Sequence, residues 1–338
     1  MSEREHTDIL VIGAGPCGLA VGVAAREAGL PCTILDKGPV TSAIDRYPLD
    51  MTFFSTPEHL ELGDVPLVVD RDKPTRRDAL TYYRRIARHF SLDVRQYEEV
   101  LAVERNGSGF HATSRTAAGD RREYAARAVV VATGYYDTPV LLYVPGEGLP
   151  KVTHYFRDAH RYFDQDVIVV GGGNSAVDAA LSTWRAGARV TLVHQFDDFD
   201  RGVKPWVLPD IRNRLEKGEI AVRWRTRLAE IEPARVRLEH ADGGDAGWVR
   251  NDFVLAMTGY RPDPKFLVSL GVPVDPVTGV PAHDPETLET PVAGAFVAGV
   301  IAAGFDANRI FIQNGREHGP RIVRALAARL VDVTGTPG

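Results

Sequence analysis

The sequence predicts an α/β protein built from two dinucleotide-binding (Rossmann-like) three-layer domains in one chain of 338 residues. Three observations predict it: a glycine-rich turn set between a strand pattern and a helix pattern, a second copy of that unit later in the chain, and two apolar strands that each run into Thr-Gly. In the first unit, Asp8 to Ile12 reads as a short apolar strand and Gly13-x-Gly15-x-x-Gly18 follows directly. Leu19 to Ala28 then carries small and apolar residues at helical spacing, and a second strand, Cys32 to Leu35, ends in Asp36. The glycines let backbone amides approach a pyrophosphate, the helix N-terminus favours its charge, and an acid at the tip of the next strand accepts hydrogen bonds from a ribose diol.

The unit occurs twice. A shift of 158 positions lays Asp8–Lys37 on Asp166–Gln195 without a gap, so that Gly13, Gly15 and Gly18 fall on Gly171, Gly173 and Ala176. Alanine is accepted at the third position, where only close packing of helix on strand is required. The same shift places Ser175 opposite Cys17 and His194 opposite Asp36. An acid at the latter position repels the extra phosphate of NADP, and a neutral or cationic imidazole removes that repulsion. Arg201 and Lys204 follow within a few residues, either as positive charge for such a phosphate or as solvated surface charges. The first unit therefore reads as an FAD or NAD site and the second as an NADP site.

The third observation pairs Val129 to Tyr135 with Phe253 to Tyr260, each a buried strand followed by Thr-Gly, at Thr133-Gly134 and Thr258-Gly259. Breaks at Tyr143–Gly148 and Gly259–Pro264 divide the chain into a discontinuous first domain, 1–150 with 259–338, and an inserted second domain, 151–258. Within the first, Phe54 to Lys73 reads as loop, Thr75 to Phe90 as a helix capped by Thr75, and Ala102 to Ser114 and Glu123 to Val131 as strands around a glycine-containing turn. Phe296 to Gly299 reads as a last buried strand and Asn314 to Leu330 as a terminal helix.

Composition excludes several classes. A net charge of −5 leaves no basic stripe for nucleic acid or anionic membrane. No apolar run approaches the roughly 20 residues of a membrane span. Met1 to Thr7 is polar and reads as neither signal nor transit peptide. Two cysteines, Cys17 and Cys32, make no disulfide framework, which suits a cytoplasmic protein. The histidines have no metal-ligand spacing, so no metal is expected.

Cys17, inside the first glycine turn, has two readings. As packing it fills a position where Ser175 shows that any small residue serves. As a reactive thiol it gains from the helix N-terminus and loses from the neighbouring pyrophosphate. Cys32 opens a strand and reads as core. A dithiol mechanism needs two cysteines close in sequence, and this chain has none, so disulfide reduction here would use Cys17 alone. His154 and His160 are candidate proton donors or ordinary surface histidines.

Several motifs together resemble the thioredoxin-reductase-like FAD/NAD(P)-binding flavoproteins, and within them the bacillithiol disulfide reductase family. They are Gly13–Leu19, Met51–Ser55, Gly63–Pro66, Ala132–Tyr136, His154–Phe156, Phe163–Val167, Asn174–Leu181, Lys204–Pro209, Ala298–Gly304 with Asp306–Asn308, and Ile310–Arg316. The resemblance implies FAD in the first domain, NADPH in the second, a homodimer, and reduction of the disulfide of a low-molecular-weight thiol, with Cys17 matching the family's proposed redox cysteine. The residues expected at FAD are Gly13, Gly15, Pro16, Cys17, Gly18, Asp36, Lys37, Val100, Thr133, Gly134 and Gly299. Those expected at NADPH are Gly171, Gly173, Asn174, Ser175, Ala176, His194, Arg201 and Lys204. Val300 stands where the broader relatives place a ribityl-binding Asp, and Gln195 and Phe196 replace their arginine pair. A flavin monooxygenase and a nucleotide-binding redox sensor without turnover remain as alternatives; the linker motif of the former is incomplete, with Asp158 at its aromatic position.

Overall fold

The structure, a computed structural model, describes residues 4–334. Residues 1–3 of the polar N-terminal lead and residues 335–338 of the expected first domain lie outside the described residues. The chain forms two compact units. One comprises Met1–Asp45, Asp50–Thr138 and Arg261–Gly338, and the other comprises Arg46–Leu49 and Pro139–Tyr260.

In chain order the first unit begins with β1 (Glu5–Ile12), α1 (Pro16–Glu27), β2 (Cys32–Asp36), α2 (Ser42–Asp45), α3 (Arg76–His89), β3 (Asp93–Gln96), β4 (Glu98–Asn106), β5 (Gly109–Thr116) and β6 (Arg121–Val131). The second unit holds β7 (Val152–Thr153), β8 (Asp166–Val170), α4 (Asn174–Arg185), β9 (Arg189–Val193), α5 (Leu208–Glu216), β10 (Ala221–Arg223), β11 (Thr226–Ile231), β12 (Arg235–His240), β13 (Asp245–Arg250) and β14 (Phe253–Ala256). The chain returns to the first unit through α6 (Lys265–Ser269), β15 (Ala295–Val297), α7 (Ile312–Gly315) and α8 (His318–Thr334).

The sheet of the first unit runs β3-β2-β1-β6-β5-β4, with β15 also paired to β6. β6 serves two partners on one edge: its first half pairs antiparallel with β5 and its end pairs parallel with β15. Ile9 to Ile12 are all buried, as a parallel strand covered on both faces requires. Ile12 pairs with Leu35 and with Val131, and Val131 with Val297, so four strands end in one row. The crevice beyond such a row is where open α/β sheets bind ligands.

In the second unit the parallel sheet runs β10-β9-β8-β14-β7, beside a separate antiparallel sheet β11-β12-β13. The two faces of β8 show why three layers form. Val167 and Val169 pack with Val177, Ala180 and Leu181 of α4, whereas Ile168 and Val170 pack with Leu228, Ile231, Val236 and Leu238 of the antiparallel sheet. The internal repeat holds at the level of elements: α1 and α4 are both 12 residues long and start at positions related by the same shift. The α/β class with two nucleotide-type units is thus the observed architecture.

Three element expectations are corrected. Ala102 to Ser114 is two strands, because Gly107 takes φ +60° in a two-residue turn with Asn106 paired to Gly109. The last strand stops at Val297, and Gly299, at φ +76°, opens a 3-10 turn through Ala303. The terminal helix is broken between Gly315 and His318, since the ring of Pro320 cannot coexist with a helical carbonyl at Arg316 and is accommodated instead in the first turn of α8. The expected helix start holds: Thr75 and Asp78 form a reciprocal capping box.

Candidate functional site

In the first unit the glycine turn is fixed by close contacts between backbones. A Cβ on Gly13, which has φ +112°, would stand 2.4 Å from the carbonyl oxygen of Ala132, and one on Gly18 would stand 1.9 Å from that of Gly13. The Ala14 amide donates to Asp36 Oδ2 at 2.7 Å and the Gly38 amide donates to Asp36 Oδ1 at 2.8 Å. Asp36 is buried, and burial pushes its carboxyl up while these two amides and the Ser42 hydroxyl oppose the shift. The acid therefore ties the turn to its own strand tip, and its remaining lone pairs are what a ribose diol can use. Lys37 points elsewhere, with Nζ 2.9 Å from Asp137. Val100 is buried on β4 at a register shift opposite Ser114.

Three features of this unit fit a dinucleotide. The N-cap of α1 is Gly15, with Pro16 at the first helical position and no side-chain cap, so the first free amides of the helix are left for a ligand. Space is open around Gly15 and around Gly134. Thr133 Oγ1 is buried without a hydrogen-bond partner, whereas its counterpart Thr258 donates to the carbonyl of Val140 at 2.5 Å.

Cys17 lies in the first turn of α1, and its sulfur is held between two Cα atoms. A Cβ on Gly299 would come to 2.9 Å of Sγ, and one on Gly315 to 2.8 Å. Burial pushes this thiol up to about 12. Cys32 is pushed to about 12 as well, by burial and then by the charge of Asp93. One residue of this region was not legible in the sequence. His318, buried at the start of α8, accepts the Gly299 amide on Nδ1 at 3.1 Å, and burial, aided by Arg321 and His283, pushes its pKa down to about 4. The ring is neutral with its proton on Nε2. A lone histidine after Glu317 carries no pattern that would have marked it.

In the second unit Gly171, at φ +133°, stands against the Met257 carbonyl at the same 2.4 Å. α4 again starts from a glycine N-cap, Gly173, without a side-chain cap, and Ser175 is exposed beside it while Ala176 is fully buried. Asn174 is used to hold the following loop: its Nδ2 donates to Gly202 O and its Oδ1 accepts from Lys204 N, each at 3.0 Å. His194 is buried over Gly172, and burial lowers its pKa despite the nearby Asp200, so the imidazole is neutral. Its Nε2 is buried without a hydrogen bond; the nearest carboxylate oxygen, Asp200 Oδ1, is 3.5 Å away. Arg201 is exposed. One turn further along α4, burial raises the Asp178 carboxyl to about 6, with Arg185 opposing. Neither candidate proton donor stands out here: His154 is paired with Glu147 at 3.2 Å, and His160 is exposed on a 3-10 turn.

Against known proteins, a family model described as pyridine nucleotide-disulphide oxidoreductase matches residues 10–299. Bacilliredoxin reductase Bdr of Bacillus subtilis is 41% identical over 320 residues, 95% of this chain and 97% of that protein. The structure of bacillithiol disulfide reductase Bdr (YpdA) from Bacillus cereus matches with a TM-score of 0.94 at 42% identity, covering 96% of this chain and 100% of that one. The Staphylococcus aureus protein of the same description matches with a TM-score of 0.91 at 40% identity, covering 96% and 99%.

Proposed function

The chain belongs to the pyridine nucleotide-disulphide oxidoreductase family, and from that premise we propose that it is an NADPH-dependent flavoprotein that reduces a low-molecular-weight disulfide, bacillithiol disulfide, through Cys17. The observation that carries this reading is the place of that thiol. It sits in the first turn of the helix that opens the FAD-type site, in a chain alike over 95% of its length to a relative named bacilliredoxin reductase. Bound FAD and NADPH supply the two-electron hydride chemistry. On this reading the first unit holds FAD, with the turn from Gly13 to Gly18 at the pyrophosphate, Asp36 at the ribose and Thr133 offering its free hydroxyl. The second unit holds NADPH on the turn from Gly171 to Ala176, beside His194.

Cys17 gives up its proton and its sulfur attacks one sulfur of the substrate. The S–S bond breaks, and one substrate thiolate leaves and takes up a proton. The Cys17–substrate disulfide returns to two thiols with two protons and the two electrons that originate in NADPH. A thiol pushed up to about 12 is ionised in only about one molecule in 10⁵ at pH 7. Burial disfavours the thiolate while the residue itself is partly exposed, so attack needs the proton of Cys17 to be taken up as its sulfur meets the substrate. The test is Cys17→Ser with FAD retained: turnover of bacillithiol disulfide is expected to fall at least a hundredfold, and full turnover would end the thiol mechanism. The reading also includes a cytoplasmic homodimer, supported by two free cysteines and by the family resemblance; a monomer by light scattering would contradict it.

A further inference from the structure

We infer that Asp200 is a specificity-determining residue of the second nucleotide turn, a loop-borne acid that takes the adenosine ribose hydroxyls and narrows the margin by which 2′-phosphorylated nucleotide is preferred. The inference rests on the reading of the second unit as the nicotinamide-nucleotide domain.

At the tip of β2 the first unit carries Asp36, the charge that governs its turn. The equivalent position after β9 is His194, neutral and enclosed, so the strand tip of the second unit carries no charge. An acid returns from the loop that follows. The Asp200 amide donates to Gly172 O at 3.0 Å, which fixes the residue on the turn itself. Asn174 fastens the same loop further along through Gly202 and Lys204. Held this way, the carboxylate of Asp200 has Oδ2 3.3 Å from the place a Cβ on Gly173 would take and Oδ1 3.5 Å from His194 Nε2. It is half exposed and accepts no hydrogen bond among the described residues, whereas the neighbouring Asp198 is engaged by Arg212 at 2.9 Å.

At this corner of the turn the Asp200 carboxylate, half exposed beside the enclosed and neutral His194 ring, matches a ribose diol as an acceptor for its hydroxyl donors. A 2′-phosphate entering the same corner meets the carboxylate as a like charge. Arg201 and Lys204 offset that repulsion in part, so Asp200 tunes the preference rather than reversing it.

Isothermal titration of the FAD-loaded protein with adenosine 2′,5′-bisphosphate and with 5′-AMP isolates the 2′-phosphate, the only group by which the two probes differ. Asp200→Asn is expected to tighten the bisphosphate about three- to tenfold, the size of one like-charge contact near the surface. The same variant should leave 5′-AMP unchanged or weaker, and Asp198→Asn should move neither probe by more than about twofold. Equal shifts for both probes, no tightening of the bisphosphate, or an equal effect from Asp198→Asn overturns the role of Asp200 alone. Failure of both probes to bind the unaltered protein overturns that role together with the nucleotide reading of the unit.

Discussion

At Cys17 two influences oppose each other: the N-terminus of α1 favours a thiolate, and enclosure between Gly299 and Gly315 disfavours it. Burial of the sulfur prevails in direction and pushes the thiol up to about 12, although the residue as a whole is partly exposed. His318 is shaped by the same burial with the opposite sign. Its pKa falls from 6.5 to about 4, so the unfolded chain takes up a proton below about pH 6.5 while the folded chain refuses it until near pH 4. The stability it contributes is complete above pH 6.5 and is lost as pH falls towards 4, to a total of roughly 3 kcal/mol. Urea unfolding of the protein and of His318→Gln at pH 7 and pH 4.5 measures this. The variant is expected to lose less stability on acidification than its parent, and parallel losses would show that His318 titrates normally. Glutamine can still accept the Gly299 amide, so the comparison isolates the titration from the hydrogen bond.

The same economy of space governs the elements. α8 crosses α1 so closely that a Cβ on Gly319 would lie 2.4 Å from the backbone of Ala20. Gly319→Ala must therefore separate the two helices, and a cost of about 1–3 kcal/mol is expected, read as a lower unfolding midpoint; an unchanged midpoint would mean that the helices are loosely held. The glycine turns, both crossover helices and the apolar strands were legible because each follows a local rule: a 2-residue or 3.6-residue period, a cap, a close approach only glycine allows. The break before His318 is signalled in the sequence by Pro320. The Gly107 turn hid inside a continuous β pattern. The link from Gly299 to His318 and the return of an acid at Asp200 are contacts between distant or irregular segments, which no local period encodes.

At the scale of the molecule, one supersecondary unit is used twice, with a thiol and an acid in the first copy where the second has Ser175 and His194. On the proposed mechanism the thiol lets the first unit form a mixed disulfide with the substrate, and that mixed disulfide is what takes the electrons of the flavin; the second unit has a neutral strand tip and an acid supplied from its loop. Whether electrons from NADPH reach a low-molecular-weight disulfide through this flavoprotein is tested by anaerobic titration followed in flavin absorbance. NADPH is added until the flavin is reduced, and bacillithiol disulfide is then added in steps alongside parallel samples given two other low-molecular-weight disulfides. Stoichiometric reoxidation by bacillithiol disulfide with release of two thiols per molecule is expected, and little by the others. A flavin that NADPH reduces but that bacillithiol disulfide leaves reduced would contradict it.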